Sequence, residues 1–429
     1  MDRIRAIWSE FKRYESTAIS DHKDGEPYPE HSSVSPYVPY IDLESRYGNG
    51  ERLLDIFSSM ASSGPFAPDK MVYTAMMNGL SKRKPMRGES EVATDREECF
   101  VRNAEDVGQI WASMVQRGAT RRDEKLEVDS YALVALLRTL SKGSVAHQQY
   151  AIDVGTRYLG LDGQKDSLVE LDTRSLNAIL ELCNKTAQYD LCIQHLKNVI
   201  TSPSQRRQIN KSSVDCALEA YAFLASIPTS TSSHTSSEES LKLLRWMLQE
   251  AYSSLGPKIL PDRRTYNLCL LTSWRCKDWK SATDIFEIMT GLKMAHFDGA
   301  AEFQIKSSKP DKTRVDMDAQ SMGYLLRLAT EIKDPGYLHS SLRIFEYYGV
   351  PHFFPTTASP NDNHPSLRRQ GTTDQPTEGH SNNYYQFTLA NGLQGALVAH
   401  LGGNMSKDER ERYKKLLMMC KSIKEKLKS

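Results

Sequence analysis

The chain has 429 residues, 39% of them hydrophobic, and its 55 basic and 54 acidic residues leave a formal net charge of +1. That length suffices for two or three globular domains or for one elongated repeat array. The balanced charge argues against a uniformly basic nucleic-acid-binding domain, and no apolar stretch reaches the length of a membrane span. Seven scattered cysteines without a C-x-x-C pair indicate reduced thiols, as in an intracellular compartment.

A pattern of four apolar or small residues at positions i, i+3, i+4 and i+7 recurs along the chain. This spacing places the four side chains on one stripe of an α-helix. Five copies have Ile followed by Trp or Phe at the central pair, and three of these five end in Met. Because residue type recurs together with spacing, the pattern predicts a repeated helical unit. The eight copies begin at Ile4, Leu53, Val107, Ala151, Cys192, Ser240, Ala282 and Ser341.

The N-terminal segment, residues 1–50, is predicted to be a partial repeat and a polar linker. Residues 1–13 read as the second helix of a repeat, and their two acidic residues do not fit an acid-poor mitochondrial presequence. We therefore expect the array to begin within a repeat. Either a preceding segment is missing or this helix caps the array.

The main array is predicted to span residues 51–350, with a further helix before each stripe because one helix cannot bury its own apolar face. Pro68-Asp69 and Pro261-Asp262 mark the start of two such helices, since Asp caps free N–H groups and Pro does not sit deeper in a helix. The polar or charged segments near 83–103, 228–237 and 298–314 are predicted to be loop insertions.

The C-terminal region changes composition after the array. Residues 354–383 are rich in Pro, Thr, Asn and Gly and are predicted to be a disordered linker. Residues 384–429 are predicted to form a helical pair, with an apolar helix at 384–401 and a charged helix at 407–428. This pair is either a degenerate repeat that caps the array or a separate basic tail. We favour the cap, because terminal repeats need a polar outer face.

Segment 261–289, and residues 68–82 together with 104–118, resemble the pentatricopeptide repeat family. They share a Pro-Asp boundary, an aromatic residue near the start of the first helix and an Ile-Phe-x-x-Met or similar end to the second. Residues 172–180 are a more divergent copy, and the resemblance covers about residues 50–350. It implies an all-α fold, a right-handed α-solenoid superhelix of antiparallel helix–turn–helix repeats. Tetratricopeptide repeats, which typically bind peptides, are the main competing family, but their Trp-x-x-Leu-Gly signature is not found.

The resemblance also implies candidate RNA-binding residues, because each repeat of that family contacts one base mainly through two side chains. First-helix anchors at Tyr73, Tyr131, Leu176, Val214, Tyr266 and Met322 give the alignment. The first base-contacting position follows each anchor, at Thr74, Ala132, Asn177, Asp215, Asn267 and Gly323. The closing position lies four residues before each anchor, at Asp69, Glu127, Asp172, Asn210, Asp262 and Asp318. The position that sandwiches the base lies two before, at Met71, Asp129, Arg174, Ser212, Arg264 and Gln320.

Nine of these residues are the predicted RNA contacts: Thr74, Arg174, Asn177, Asn210, Asp215, Asp262, Arg264, Asn267 and Asp318. By resemblance, Asn267 with Asp318 favours uracil, and Asn177 with Asn210 favours a pyrimidine. Ala132 and Gly323 offer no hydrogen bond and depart from the family pattern. The competing interpretation is structural, since an Asp at a helix start caps that helix whether or not RNA binds.

Enzyme signatures are missing from the sequence. It has neither a phosphate-binding loop nor an H-E-x-x-H motif. His195 lies on a predicted buried stripe, and Asp316 with Asp318 fits helix capping better than a metal pair. No catalytic residue, cofactor or metal is therefore predicted.

The predicted function is non-catalytic binding of single-stranded RNA on the concave face of the array, in mitochondrial RNA processing, stability or translation. The partner would be a mitochondrial transcript or ribosomal RNA, with the mitochondrial ribosome or other proteins as further partners. The matrix location follows from the family resemblance alone. The alternative is a protein-interaction scaffold, such as a mitochondrial ribosome-associated repeat protein with little sequence readout.

Overall fold

The regular secondary structure is entirely helical in the part of the chain that can be described, which confirms the all-α prediction. A computed structural model describes residues 2–22, 33–47, 51–83, 93–121, 126–162, 167–227, 235–252, 259–298, 313–354, 378–401 and 407–428. The chain divides into two compact units, Met1–Ile209 and Asn210–Ser429. The array predicted for residues 51–350 therefore extends over both units.

In the described residues of unit 1, four successive helical hairpins follow one helix. Its helices are α1 (Asp2–Ser20), α2 (Tyr37–Tyr47), α3 (Glu51–Ser58), α4 (Lys70–Ser81), α5 (Ala93–Arg121), α6 (Ser130–Leu140), α7 (Val145–Tyr158), α8 (Thr173–Lys185) and α9 (Tyr189–Thr201). The first helices of the hairpins, α2, α4, α6 and α8, pack one on the next, and each also packs on the helix that follows it. A 3₁₀ turn at Arg206–Gln208 packs on α9.

The described part of unit 2 has the same arrangement, with four hairpins. Its helices are α10 (Lys211–Leu224), α11 (Ser236–Tyr252), α12 (Arg263–Cys276), α13 (Trp279–Thr290), α14 (Ala319–Ile332), α15 (Pro335–Tyr348), α16 (Val350–Phe353), α17 (Glu378–Leu401) and α18 (Lys407–Lys428), with a 3₁₀ turn at Met294–Phe297. The first helices α10, α12, α14 and α17 pack in series, and α11, α13, α15 and α18 are their hairpin partners. The C-terminal pair α17–α18 thus packs as a further hairpin.

The second helices bury the recurring apolar stripe. The copies that begin at Val107, Cys192 and Ala282 are buried at all four positions. The first copy differs, because Ile7 is 60% exposed while Glu15, two turns later, is buried. The buried stripe of α1 is shifted because α1 packs through aromatic rings: Trp8 stacks on Tyr40 at 4.0 Å, and Tyr37 donates its hydroxyl to Glu15 at 2.8 Å.

The segments predicted as insertions are partly helical. Helix α5 begins at Ala93, so residues 93–103 are not a loop; Asn103 is buried there, and Arg83 pairs with Asp106 at 2.8 Å. The Ser-rich insertion ends earlier than predicted, because Ser236 and Ser237 begin α11 as buried residues and the Ser237 hydroxyl bonds that of Ser273.

Other predicted boundaries can be compared with the structure only where the residues are described. Residues 84–92, 228–234 and 299–312 lie outside the described residues, as do 355–377 of the predicted disordered linker. Residues 378–383, also assigned to that linker, belong instead to α17. Polar composition alone is thus a poor guide to where these helices begin.

Candidate nucleic-acid interface

Five of the six predicted closing positions, all except Glu127, cap helix starts in the structure. Six first helices, α4, α6, α8, α10, α12 and α14, follow an extended N-cap residue whose side chain accepts a hydrogen bond from a backbone N–H of the first turn. These N-caps are Asp69, Asp129, Asp172, Asn210, Asp262 and Asp318. Such a cap satisfies one of the four N–H groups that a helix start leaves unpaired.

The caps correct the alignment of the second repeat by two residues. The sequence prediction took Tyr131 as its anchor, with Ala132 and Glu127 as the contact positions. Since the N-cap is Asp129, the buried anchor is Leu133, and the residue aligned with Asn177 and Asn267 is Val134, also buried. Tyr131 is 56% exposed and lies two residues after its N-cap, as Arg174 does in the next repeat. Its likeness to the other tyrosine anchors misled the prediction.

Each aspartate that caps one of the first helices α6, α8, α12 and α14 also contacts the preceding first helix of its own unit. One oxygen caps its helix, and the other meets a residue from the first turn of that preceding helix. These contacts, which we call capping clamps, are Lys70–Asp129 at 3.1 Å, Ser130–Asp172 at 2.7 Å, Lys211–Asp262 at 3.0 Å and Arg263–Asp318 at 3.6 Å. The capping aspartates therefore have a structural role without any ligand.

Asp215 and Asp262, both predicted RNA contacts, belong to one internal network. Asp215 is buried; it accepts from the Thr265 hydroxyl at 2.8 Å and from Lys211 at 2.6 Å, and Lys211 also reaches Asp262. Burial opposes ionisation of Asp262, but the hydrogen bonds from Lys211 and Thr265 outweigh it and lower the pKa of that carboxyl. Both oxygens of Asp215 are thus engaged within the protein.

In unit 1, Arg174 and the realigned residue Tyr131 form an exposed pair. The guanidinium carbon of Arg174 lies 4.1 Å from the centroid of the Tyr131 ring, a cation–π arrangement. The Thr74 hydroxyl donates to the Lys70 carbonyl at 2.9 Å, so this hydroxyl is hydrogen-bonded within its own helix. Asn177 is half-buried on α8, five residues after its N-cap. Its predicted partner Asn210 caps α10, at the start of unit 2.

In unit 2, the predicted base-contacting residues Asn267 and Asp318 hydrogen-bond to each other. The Asn267 amide nitrogen donates to the Asp318 carboxylate at 3.3 Å and to the Gln320 side-chain carbonyl at 3.1 Å. This orientation of the amide follows from its neighbours, because a carboxylate only accepts. Asn267 is 4% exposed, and its Oδ1 has no hydrogen-bond partner in the described part of the chain. The pair therefore contains one unused acceptor.

A groove of about 440 Å³ surrounds this pair. Its lining comprises Arg263, Arg264, Asn267, Leu268, Leu271, Asp318, Gln320, Tyr324 and Tyr385, from α12, α14 and α17. Arg264 is largely exposed and lies 3.9 Å from Glu219. The groove lining thus combines two arginines, one carboxylate, two amides and two phenol rings beside the buried Asn267 oxygen.

A buried histidine and metal-binding clusters are the other candidates for chemistry among the described residues. His195 is buried, its ring 3.2 Å from the Thr156 hydroxyl, and burial lowers its pKa to about 4, so the imidazole is neutral near pH 7. Within the described ranges, no cluster of three or more His, Cys, Asp or Glu side chains suits a metal ion. None of the helices seen there is long and apolar enough to span a membrane. The sequence matches no known protein family and no curated protein.

Proposed function

We propose that this chain binds single-stranded RNA without catalysis, as a divergent pentatricopeptide-type protein in mitochondrial RNA processing, stability or translation. The observation that carries the proposal is the unused Oδ1 of Asn267 beside the arginine-lined groove. The mitochondrial matrix, a mitochondrial transcript or ribosomal RNA as ligand, and a right-handed superhelix with a concave binding face rest on the sequence resemblance.

The Asn267 amide suits a base that presents an N–H group. Asp318 and Gln320 hold the amide nitrogen, so the oxygen is the group left for a ligand. A buried acceptor without a partner costs about 1–3 kcal/mol, which a donor such as the imide N–H of uracil would recover. Because this oxygen is shielded in the unbound chain, binding requires movement of side chains in the groove such as Arg264.

Local charge favours the RNA backbone although the whole chain is nearly neutral. Arg263, Arg264 and one carboxylate, Asp318, line this groove. An adjoining cavity, which shares Tyr324 and Tyr385 with the groove, is lined by two more arginines, Arg275 and Arg327. Arginine forms bidentate hydrogen bonds with phosphate and stacks on aromatic rings and bases. The exposed Tyr131–Arg174 pair of unit 1 offers similar chemistry.

Selection from a random single-stranded RNA pool at two salt concentrations tests the proposal. We expect an enriched motif containing uracil. Asn267→Ala should weaken binding to that motif about fivefold to tenfold and reduce the uracil preference, because it removes roughly one hydrogen bond. Arg245→Gln is the control, since Arg245 is exposed on α11 and pairs with Asp284. Absence of binding at low salt, or identical enrichment by the Asn267 variant, would count against the base contact.

The second candidate function is a protein-interaction scaffold, such as a mitochondrial ribosome-associated protein. It is favoured by an apolar groove of about 460 Å³ on α5 and α7, lined in part by Trp111, Val115, Tyr150 and Tyr158. If the RNA pool gives no binding, cross-linking should recover a protein partner. Val115→Glu should then abolish its capture, and an unchanged yield would argue against this groove as the contact.

A further inference from the structure

The position equivalent to Asn267 in the next first helix is Gly323. Both residues lie five positions after a capping aspartate, Asp262 for α12 and Asp318 for α14. A Cβ atom added to Gly323 would meet no atom within 4 Å, so packing does not require glycine there. Alanine would favour the helix. The glycine thus leaves space open where the preceding repeat places an amide.

Aromatic rings and arginines surround that open space. A cavity of about 230 Å³ adjoins the Asn267 groove and is lined by Leu271, Trp274, Arg275, Ala319, Gln320, Gly323, Tyr324, Arg327, Tyr384, Tyr385 and Thr388. We call it the aromatic slot. Its volume is below the roughly 300–1,000 Å³ of drug-sized pockets, which suits a single planar ring system.

The rings of the aromatic slot are held in place. Trp274 and Tyr324 lie nearly parallel, with centroids 5.9 Å apart and an interplanar angle of 19°. The Trp274 indole N–H donates to Glu331 at 2.9 Å, and Gln320 donates to the Tyr324 hydroxyl at 2.9 Å. Tyr384, in contrast, is 65% exposed at the edge of the slot. A ligand would meet a fixed aromatic wall and one accessible ring.

We propose that the aromatic slot holds one unpaired RNA base by stacking, next to the base contacted by Asn267, without selecting among the four bases. Gly323 supplies no hydrogen-bonding group, and every base has a ring face that stacks on an aromatic side chain. Arg275 and Arg327 line the slot and add positive charge for the backbone. This inference rests on the proposed RNA-binding function and extends it by a second, non-selective subsite.

Fluorescence of a labelled RNA tests the slot in the full-length chain. The probe is an oligouridine of about 12 nucleotides with one 2-aminopurine, moved along the strand. We expect quenching at one register and similar affinity when other bases occupy that position. An abasic nucleotide there should weaken binding roughly 5- to 150-fold, the range expected for one stacked base.

Substitutions test which residues cause the quenching and bind the stacked base. Gly323→Leu should fill the slot, abolish quenching and weaken binding roughly 5- to 150-fold. The matched control is Gly395→Leu on α17, where an added Cβ also meets no atom within 4 Å and the residue does not line the slot. Tyr384→Ala should also weaken binding and quenching, whereas Tyr384→Phe should retain both. Because Tyr384 is exposed, its variants test the slot even if Gly323→Leu fails to fold.

The outcomes separate this inference from the proposed function. Equal binding and quenching by Gly323→Leu, Tyr384→Ala and Gly395→Leu, with weaker binding by Asn267→Ala, would overturn the slot and leave the function standing. Loss of quenching with both Gly323→Leu and Tyr384→Ala, and no effect of Asn267→Ala, would support the slot and reject the base contact at Asn267. Absence of RNA binding by the unaltered chain would overturn both, and capture of a protein instead would do the same.

Discussion

At the residue scale, hydrogen bonding distinguishes a helix cap from a free recognition group. Asp172 uses one oxygen for the N–H of Ser175 and the other for the Ser130 hydroxyl. Asn267 has its amide nitrogen engaged and its oxygen without a partner. The amide is therefore the stronger candidate for a base contact, whereas the repeated aspartates are explained by the fold alone.

Gly155 occupies a position of the fourth apolar stripe where the other copies have a large side chain. A Cβ there would lie 2.7 Å from Cδ1 of Ile179 and 3.2 Å from Cδ2 of Leu137. Helix α7 approaches its neighbours too closely for a side chain. This accounts for the departure from the Ile-Trp or Ile-Phe pattern.

Gly155→Leu should lower the free energy of unfolding by about 1–3 kcal/mol through overpacking. The matched control is Gly108→Leu on α5, where an added Cβ meets no atom within 4 Å; it should be neutral or stabilising, since leucine favours a helix over glycine. Urea unfolding of both variants measures the difference. Equal stabilities would show that α7 can move away at little cost.

At the scale of the element, the capping clamp explains how successive first helices keep a common register. The aspartate that starts one helix also binds the first turn of the preceding helix in the same unit. Burial opposes ionisation of Asp172, but hydrogen bonds from Ser175 and Ser130 outweigh it and lower its pKa below the ordinary value of 3.8. Its contribution to stability is therefore present above about pH 3.8 and is lost as the pH falls through the lowered pKa.

A double-mutant cycle of Ser130→Ala and Asp172→Ala tests the clamp. We expect a coupling energy of about 0.5–1.5 kcal/mol at pH 7, the contribution of one hydrogen bond. Asp172→Ala alone should cost a further 0.5–2 kcal/mol or so from the lost cap. Replacing Asp153, which accepts from Gln149 on its own helix, should show no coupling to Ser130. Additive effects of Ser130 and Asp172 would mean that the clamp does not stabilise the unit.

At the scale of the whole molecule, net charge is a poor guide because charge is distributed unevenly. The chain carries +1 in total, yet four arginines and one carboxylate line the two adjoining cavities of unit 2. Second helices carry balanced pairs such as Arg245–Asp284. The averaged composition therefore conceals a local positive region.

The salt dependence of RNA affinity measures how many phosphate contacts these arginines make. Each phosphate contact with single-stranded RNA should contribute about 0.7 to the slope of log affinity against log salt. Arg264→Gln should reduce the slope by roughly that amount, whereas Arg245→Gln should leave it unchanged. If both variants keep the original slope, Arg264 does not contact phosphate.

The sequence by itself determined the helical class and the recurring helical hairpins. These follow from local periodicity and from cap residues, which act within one or two turns. It failed where distant residues decide, as in the shifted stripe of α1 and the burial of Leu133 rather than Tyr131. Tertiary structure alone decided which polar groups are already bonded and where Gly323 leaves space beside aromatic rings. Both depend on side chains from different helices that are distant in the sequence.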